Sequence, residues 1–153
     1  MRQTKTKQLT LLAILTALTV VLGLFVKIPT VKGVTTLLDA GIFFAAFHLG
    51  KKEGAIVGGL SGFLFDLIAG YPQWMFISLV AHGGQGYLAG FTGKKRYLGI
   101  LSSVIVMVAT YFVASSVMYD VTAATADIIT NILQNVVGIL VGLTLVKAVE
   151  QVK

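Results

Sequence analysis

Six runs of apolar residues, at about 9–26, 34–50, 54–70, 73–92, 97–119 and 124–146, alternate with short polar connections. A helix rises about 1.5 Å per residue, so about 20 apolar residues cross the roughly 30 Å hydrocarbon core of a bilayer. The pattern therefore predicts an all-α fold of six transmembrane helices. The second and third runs are short for spans, and their glycines blur where each ends.

Polar residues interrupt these runs at helical spacing. In the stretch 71–90, YPQWMFISLVAHGGQGYLAG, a polar turn at Tyr71, Pro72 and Gln73 leads into an apolar segment that then carries His82 and Gln85. Trp74, Ser78, His82 and Gln85 recur at i, i+4, i+8 and i+11, one face of a helix. The sixth run repeats the device with Asp127, Asn131, Gln134 and Asn135, a stripe that continues into Gly138 and Gly142. Thr35, Thr36 and Asp39 open the second run, Asp66 closes the third, and Tyr111, Ser115 and Tyr119 close the fifth. An Asp or Lys at the centre of a membrane helix costs about 2.5–3.5 kcal/mol on insertion scales, so such groups belong in the bundle interior, with partners or water. Taken singly, Ser78, Ser115 or Gln134 is an ordinary interhelical hydrogen bonder. The combination of Asp127, Asn131, Trp74 and His82 reads instead as a binding site. His48, alone near the other end of the second run, reads as interfacial.

Composition agrees with the pattern. The 153 residues are 56% hydrophobic and only 12% charged, with a mean hydropathy of +0.90. An average soluble domain carries about twice that charge. No stretch is polar enough for a separate soluble domain, so residues 1–153 read as a single transmembrane domain. The basic start MRQTKTKQ resembles a signal peptide, but the run after it is long and KIPTVKG offers no small-residue cleavage site, so the first helix reads as retained.

The net charge of +6 is distributed by loop, with no basic face interleaved with aromatics of the kind that nucleic acid requires. Arg2, Lys5 and Lys7, then Lys51 and Lys52, then Lys94, Lys95 and Arg96, and finally Lys147 and Lys153 occupy alternate connections. The opposite connections hold only Lys27 and Lys32. The positive-inside rule puts both termini in the cytoplasm and turns the loops 27–36, 71–73 and 120–123 outward. The polar stripes then converge on an outward-facing half-cavity.

Chemistry is narrowed by what is missing. Cysteine is absent and the two histidines lie far apart, so neither a thiolate metal site nor a histidine cluster is expected, and no cofactor is implied. Neither a G-x-x-x-x-G-K-[ST] phosphate loop nor H-E-x-x-H occurs. Gly59-Leu60-Ser61-Gly62 matches a G-x-S-G, which leaves open an intramembrane serine protease using Ser61 and His82; a self-sufficient small-solute facilitator is a second alternative. Glycine at every fourth position, in Gly54, Gly58 and Gly62, in Gly86 and Gly90, and in Gly138 and Gly142, predicts close packing within the bundle. Ala13 and Ala17 share that spacing on a helix with no buried polar residue beyond threonine, so their face meets lipid or another protein.

The basic N-terminus, the six short helices, Ala13-x-x-x-Ala17, and the H-G-x-Q-G of His82 to Gly86 together resemble the S component of an energy-coupling factor (ECF) vitamin transporter, over almost the whole chain. The likeness is greatest to the small members assigned to hydroxymethylpyrimidine or vitamin B6 compounds. It implies a subunit without its own ATPase that binds a vitamin near the outer face. It also implies a transmembrane coupling subunit and two cytoplasmic ATPases as partners, with Ala13 and Ala17 at the coupling contact and toppling in the membrane as the delivery step. Met1-Arg2 departs from the Met-His start of nickel and cobalt members, which argues against a metal substrate. The candidate ligand contacts are Asp39, Tyr71, Gln73, Trp74, Ser78, His82, Gln85, Tyr119, Asp127 and Asn131. Flat aromatic faces and directional hydrogen bonders suit a small hydroxylated heterocycle. Pro29 and Gly33 make the first outer loop a candidate lid, Lys27 and Lys32 in it either close over a carboxylate or phosphate or are solvated loop lysines, and His82 and Gln85 stand where ligand contact and structural floor divide.

Overall fold

A computed structural model describes residues 5–30 and 34–152. Arg2, Lys32, Gly33 and Lys153 lie outside the described residues. The described residues fold into six α-helices and one short hairpin. Helix α1 (Lys5–Phe25) is followed by strands β1 (Lys27–Pro29) and β2 (Val34–Thr36), then by α2 (Leu38–Leu49), α3 (Lys51–Ala69), α4 (Met75–Ala89), α5 (Arg96–Met118) and α6 (Val121–Gln151). Single helical turns at Pro72–Trp74 and Gly93–Lys95 lead into α4 and α5.

The six-helix reading holds, with corrections of boundary. The second helix begins at Leu38 and not at Val34, because Val34, Thr35 and Thr36 pair antiparallel with Pro29, Ile28 and Lys27. Val-Thr-Thr is a β-branched run that favours extended backbone. Leu37 N–H then donates to Val26 O at 3.1 Å, closing the hairpin against the end of α1. Helix α6 is longer than expected, 31 residues. Its start is fixed by Asp120, whose side chain accepts from Ala123 N–H at 2.8 Å as an N-cap.

Helix α2 is the hub. Leu38, Asp39, Ala40, Ile42, Phe43, Ala45 and Ala46 are each at most 1% exposed, which no other helix approaches over such a length. Around the bundle α2, α3, α4, α5 and α6 pack in that order, with α6 closing back on α2, and α1 leans on α2 and α3 from outside. Glycine sets the tightest contacts. A Cβ at Gly54 would stand 2.6 Å from Gly86 O, one at Gly62 would stand 2.9 Å from Ser78 O, and one at Gly58 would collide with His82 O. The α3 and α4 backbones therefore touch along their length. Gly138 and Gly142 do the same for α6 against Asp39 and Phe43 of α2.

The outer surface is apolar. Leu101, Ile105 and Val113 on α5 and Ile129, Leu133 and Leu140 on α6 are all exposed. Three helical segments, Lys5–Phe25, Gly93–Met118 and Val121–Gln151, are each long and apolar enough to cross a membrane, and Leu38–Leu49 is a shorter apolar helix. The polar side chains have been drawn inside, which is the arrangement a polytopic membrane protein requires.

Candidate functional site

Polar residues from α2, α4, α5 and α6 meet in one buried network. Its proton directions follow from two backbone anchors. Thr36 N–H can only donate, so it fixes Gln134 Oε1 as its acceptor at 2.7 Å and leaves Gln134 Nε2 to donate to Asp39 Oδ1 at 3.1 Å. At the other end Asn131 O can only accept, so Asn135 Nδ2 donates to it at 2.9 Å and Asn135 Oδ1 faces Gln85. Gln85 Nε2 consequently donates to Asn135 Oδ1 at 2.7 Å and to Asp39 Oδ2 at 2.9 Å. Gln85 Oε1 is left to accept from His82 Nδ1–H at 2.8 Å. His82 Nε2 meets the Tyr111 hydroxyl at 3.1 Å, and that hydroxyl meets Ser78 Oγ at 2.6 Å. Asp39, Gln85 and Asn135 are fully buried.

Above this floor lies a cavity of about 60 Å³, lined by all helices except α1 and by the hairpin. At about 10–15 Å³ per water centre it holds roughly four to six waters, the bulk of one substituted six-membered ring. Thr30, Val34 and Thr36 line it from the hairpin, Phe65 and Asp66 from α3, Trp74, Ser78 and His82 from the α4 side, Met107, Tyr111 and Ser115 from α5, and Asp127, Asn131 and Gln134 from α6. Trp74 packs its ring against Tyr111 at 5.8 Å and Tyr119 at 6.0 Å, so the wall there is aromatic. Four lining residues carry buried polar atoms with no hydrogen-bond partner: Asp66 Oδ2, Trp74 Nε1, Ser115 Oγ and Asp127 Oδ1. Buried polar groups are nearly always paired, so these four atoms are ones that water or a ligand in this space would satisfy.

Of the ten residues singled out in the sequence, Trp74, Ser78, His82, Asp127 and Asn131 line the cavity. Asp39 and Gln85 lie in the network beneath it. Tyr119 stands behind Trp74, while Tyr71 and Gln73 are absent from the lining and Gln73 is exposed. The lining also includes Asp66, Tyr111 and Ser115, whose polar letters near the same helix ends were visible in the sequence. Phe65, Met107 and Val108 could not be found that way, since an apolar residue beside a pocket and one beside lipid are written alike. Ala13 and Ala17 are both exposed on α1. Ser61 is buried, donates to Gly58 O of its own helix at 3.2 Å and does not line the cavity, while both ring nitrogens of His82 are engaged elsewhere. A serine–histidine pair is not assembled. Among the described residues no group of three or more His, Asp and Glu side chains is placed to hold a metal ion.

Comparison with known proteins agrees with this architecture. Residues 3–151 match the family described as ECF-type riboflavin transporter, S component. The chain is 47% identical over 148 residues to the thiamine precursor transporter HmpT of Lactococcus lactis subsp. cremoris (strain MG1363), covering 95% of this chain and 89% of that one. It is 33% identical over 123 residues to an uncharacterized protein of Pyrococcus woesei, covering 76% of this chain and 82% of that one. The fold matches a solved S component of a bacterial ECF transporter with a TM-score of 0.77 at 22% identity, over 97% of this chain and 98% of that one. This six-helix chain thus belongs to the S-component family of ECF-type transporters, the substrate-binding membrane subunits, and is not an enzyme.

Proposed function

We propose that this S component captures a small monocyclic vitamin precursor, a hydroxymethylpyrimidine or pyridoxine-like heterocycle, from outside the cell. The observation that carries the reading is the cavity itself, with room for one ring, an aromatic wall at Trp74 and Tyr111, and four unpartnered polar atoms facing inward. Riboflavin, named in the family description, has three fused rings and a polyhydroxylated tail and is larger than the single ring this space suits. The thiamine-precursor function of the Lactococcus relative supports the smaller ligand. Ten candidate residues belong to this reading in three tiers: Trp74, Ser78, His82, Asp127 and Asn131 touch the ligand, with Asp39 and Gln85 as floor and Tyr71, Gln73 and Tyr119 at the entrance.

Orientation follows from charge. Lysine and arginine concentrate at the ends of the bundle remote from the hairpin, so both termini are cytoplasmic and the cavity opens outward. The chain works with a transmembrane coupling subunit and two cytoplasmic ATPases, and the exposed Ala13 and Ala17 allow a partner helix to approach α1 closely. Titration of the purified protein with the aminopyrimidine alcohol, with pyridoxine and with riboflavin tests the ligand class. Saturable binding of a monocycle and none of riboflavin is expected; tight riboflavin binding would overturn the reading.

A further inference from the structure

Asp66 closes α3 and Asp127 opens α6, two helices that are not neighbours in the ring, yet both line the same cavity. Asp66 is only 6% exposed, and its Oδ2 has no hydrogen-bond partner. Asp127 Oδ1 is likewise buried and unpartnered. Trp74, 7% exposed, holds an unpartnered Nε1–H, and Ser115, 3% exposed, an unpartnered Oγ. Counted by role, the cavity offers two carboxyl acceptors, one obligate donor and one hydroxyl of either sense. Among the described residues no lysine or arginine lines it.

That inventory specifies the complement a guest must carry: hydrogen-bond donors for the two carboxyl groups, an acceptor for the indole, and no negative charge. An exocyclic amino group on a nitrogen heterocycle meets the first two demands at once, because the amine donates two protons and the adjacent ring nitrogen accepts one. A phosphate ester meets the third badly, since its two charges would be buried beside two carboxyl groups, and among the described lining residues the one base is His82, whose ring nitrogens are already engaged by Gln85 and Tyr111. The polar floor does not change this, because Asp39, Gln85 and Gln134 are already committed to one another.

We propose that Asp66 is the specificity-determining residue of the site, accepting a hydrogen bond from an exocyclic amino group of the ligand and, with Asp127, excluding phosphorylated forms. The inference rests on the small-heterocycle reading above and narrows it to the amino-substituted, phosphate-free compound. Phosphoryl transfer, where it occurs, then belongs to the class of reactions that consume the ligand after entry.

The test compares three probes on the purified full-length protein: the aminopyrimidine alcohol, the same molecule with hydrogen in place of the amino group, and its phosphate monoester. Wild type is expected to prefer the amino compound to the des-amino compound by at least about tenfold and to bind the ester at least about a hundredfold more weakly. Asp66→Asn, which keeps the shape and removes the charge, should collapse the amino preference to below about threefold. Equal binding of the amino and des-amino probes by wild type, or an Asp66→Asn protein that retains the full preference, overturns the role of Asp66 while leaving the small-heterocycle reading intact. Binding of none of the probes overturns this inference, and if pyridoxine fails to bind as well, the small-heterocycle reading falls with it. The wild-type comparison needs no variant to fold.

Discussion

Gln85 illustrates how much a single side chain carries here. It accepts from His82, donates to both Asp39 and Asn135, and is fully buried. Gln85→Leu has nearly the same volume but strands three partners, among them a carboxyl group at zero exposure. Losing the one hydrogen bond to the buried acid costs about 1.5–3 kcal/mol and the other two about 1 kcal/mol each, so the variant should unfold several degrees earlier than wild type in a detergent melt even without ligand. An unchanged melting temperature would mean that the network does not hold the floor together. Trp74→Phe acts differently. It keeps the aromatic wall but deletes the unpaired indole N–H, so affinity for the ligand should fall about five- to tenfold, read by titration, with little change in the melt. The sequence makes Trp74, His82 and Asp127 legible as residues of the interior cavity because polar and aromatic letters at helical spacing are costly inside a membrane. It did not separate lining from floor: Asp39 and Ser78 carry equally polar letters, and only the packing of α2 beneath α4 decides that one is buried and the other borders space.

Between elements, the α3–α4 contact is the most sensitive to substitution. Gly58 leaves no room for a Cβ against the carbonyl of His82, so the helices would have to separate at the residue that anchors one end of the network. Gly58→Val should destabilise the protein by about 1–3 kcal/mol through overpacking and weaken ligand binding as well. Gly70→Ala makes an instructive control. There the backbone φ is +90° but nothing lies within 4 Å, so the penalty is local strain alone and binding should persist. The glycine repeats announced this packing in the sequence, whereas the β1–β2 hairpin went unread. Three-residue strands give too short a pattern to distinguish from the start of an apolar helix, and Val34 was absorbed into α2 for that reason.

At the scale of the molecule, the cavity and the exposed alanine pair belong to different faces. The cavity is enclosed by α2 to α6 and the hairpin, while Ala13 and Ala17 lie exposed on α1, which contributes nothing to the lining. Ala13→Trp should therefore leave vitamin affinity of the isolated subunit unchanged and abolish uptake in cells that carry the partners; a loss of affinity would contradict that division. Liposomes containing only this chain should show no counterflow of the ligand, and robust counterflow would mean a self-sufficient facilitator. The six-helix plan and its membrane character could be read directly from alternating apolar runs, and the closure of the ring could not, since which helices are neighbours is decided by side-chain fit far apart in the chain.

The brevity of α2 fixes a distance. Asp39 stands at its first turn and Leu49 at its end, ten residues later, so at about 1.5 Å per residue the floor of the cavity lies only about 15 Å from the opposite end of the hub helix. A guest resting on that floor would stand about half the thickness of a bilayer's hydrocarbon core from the far end of the hub helix.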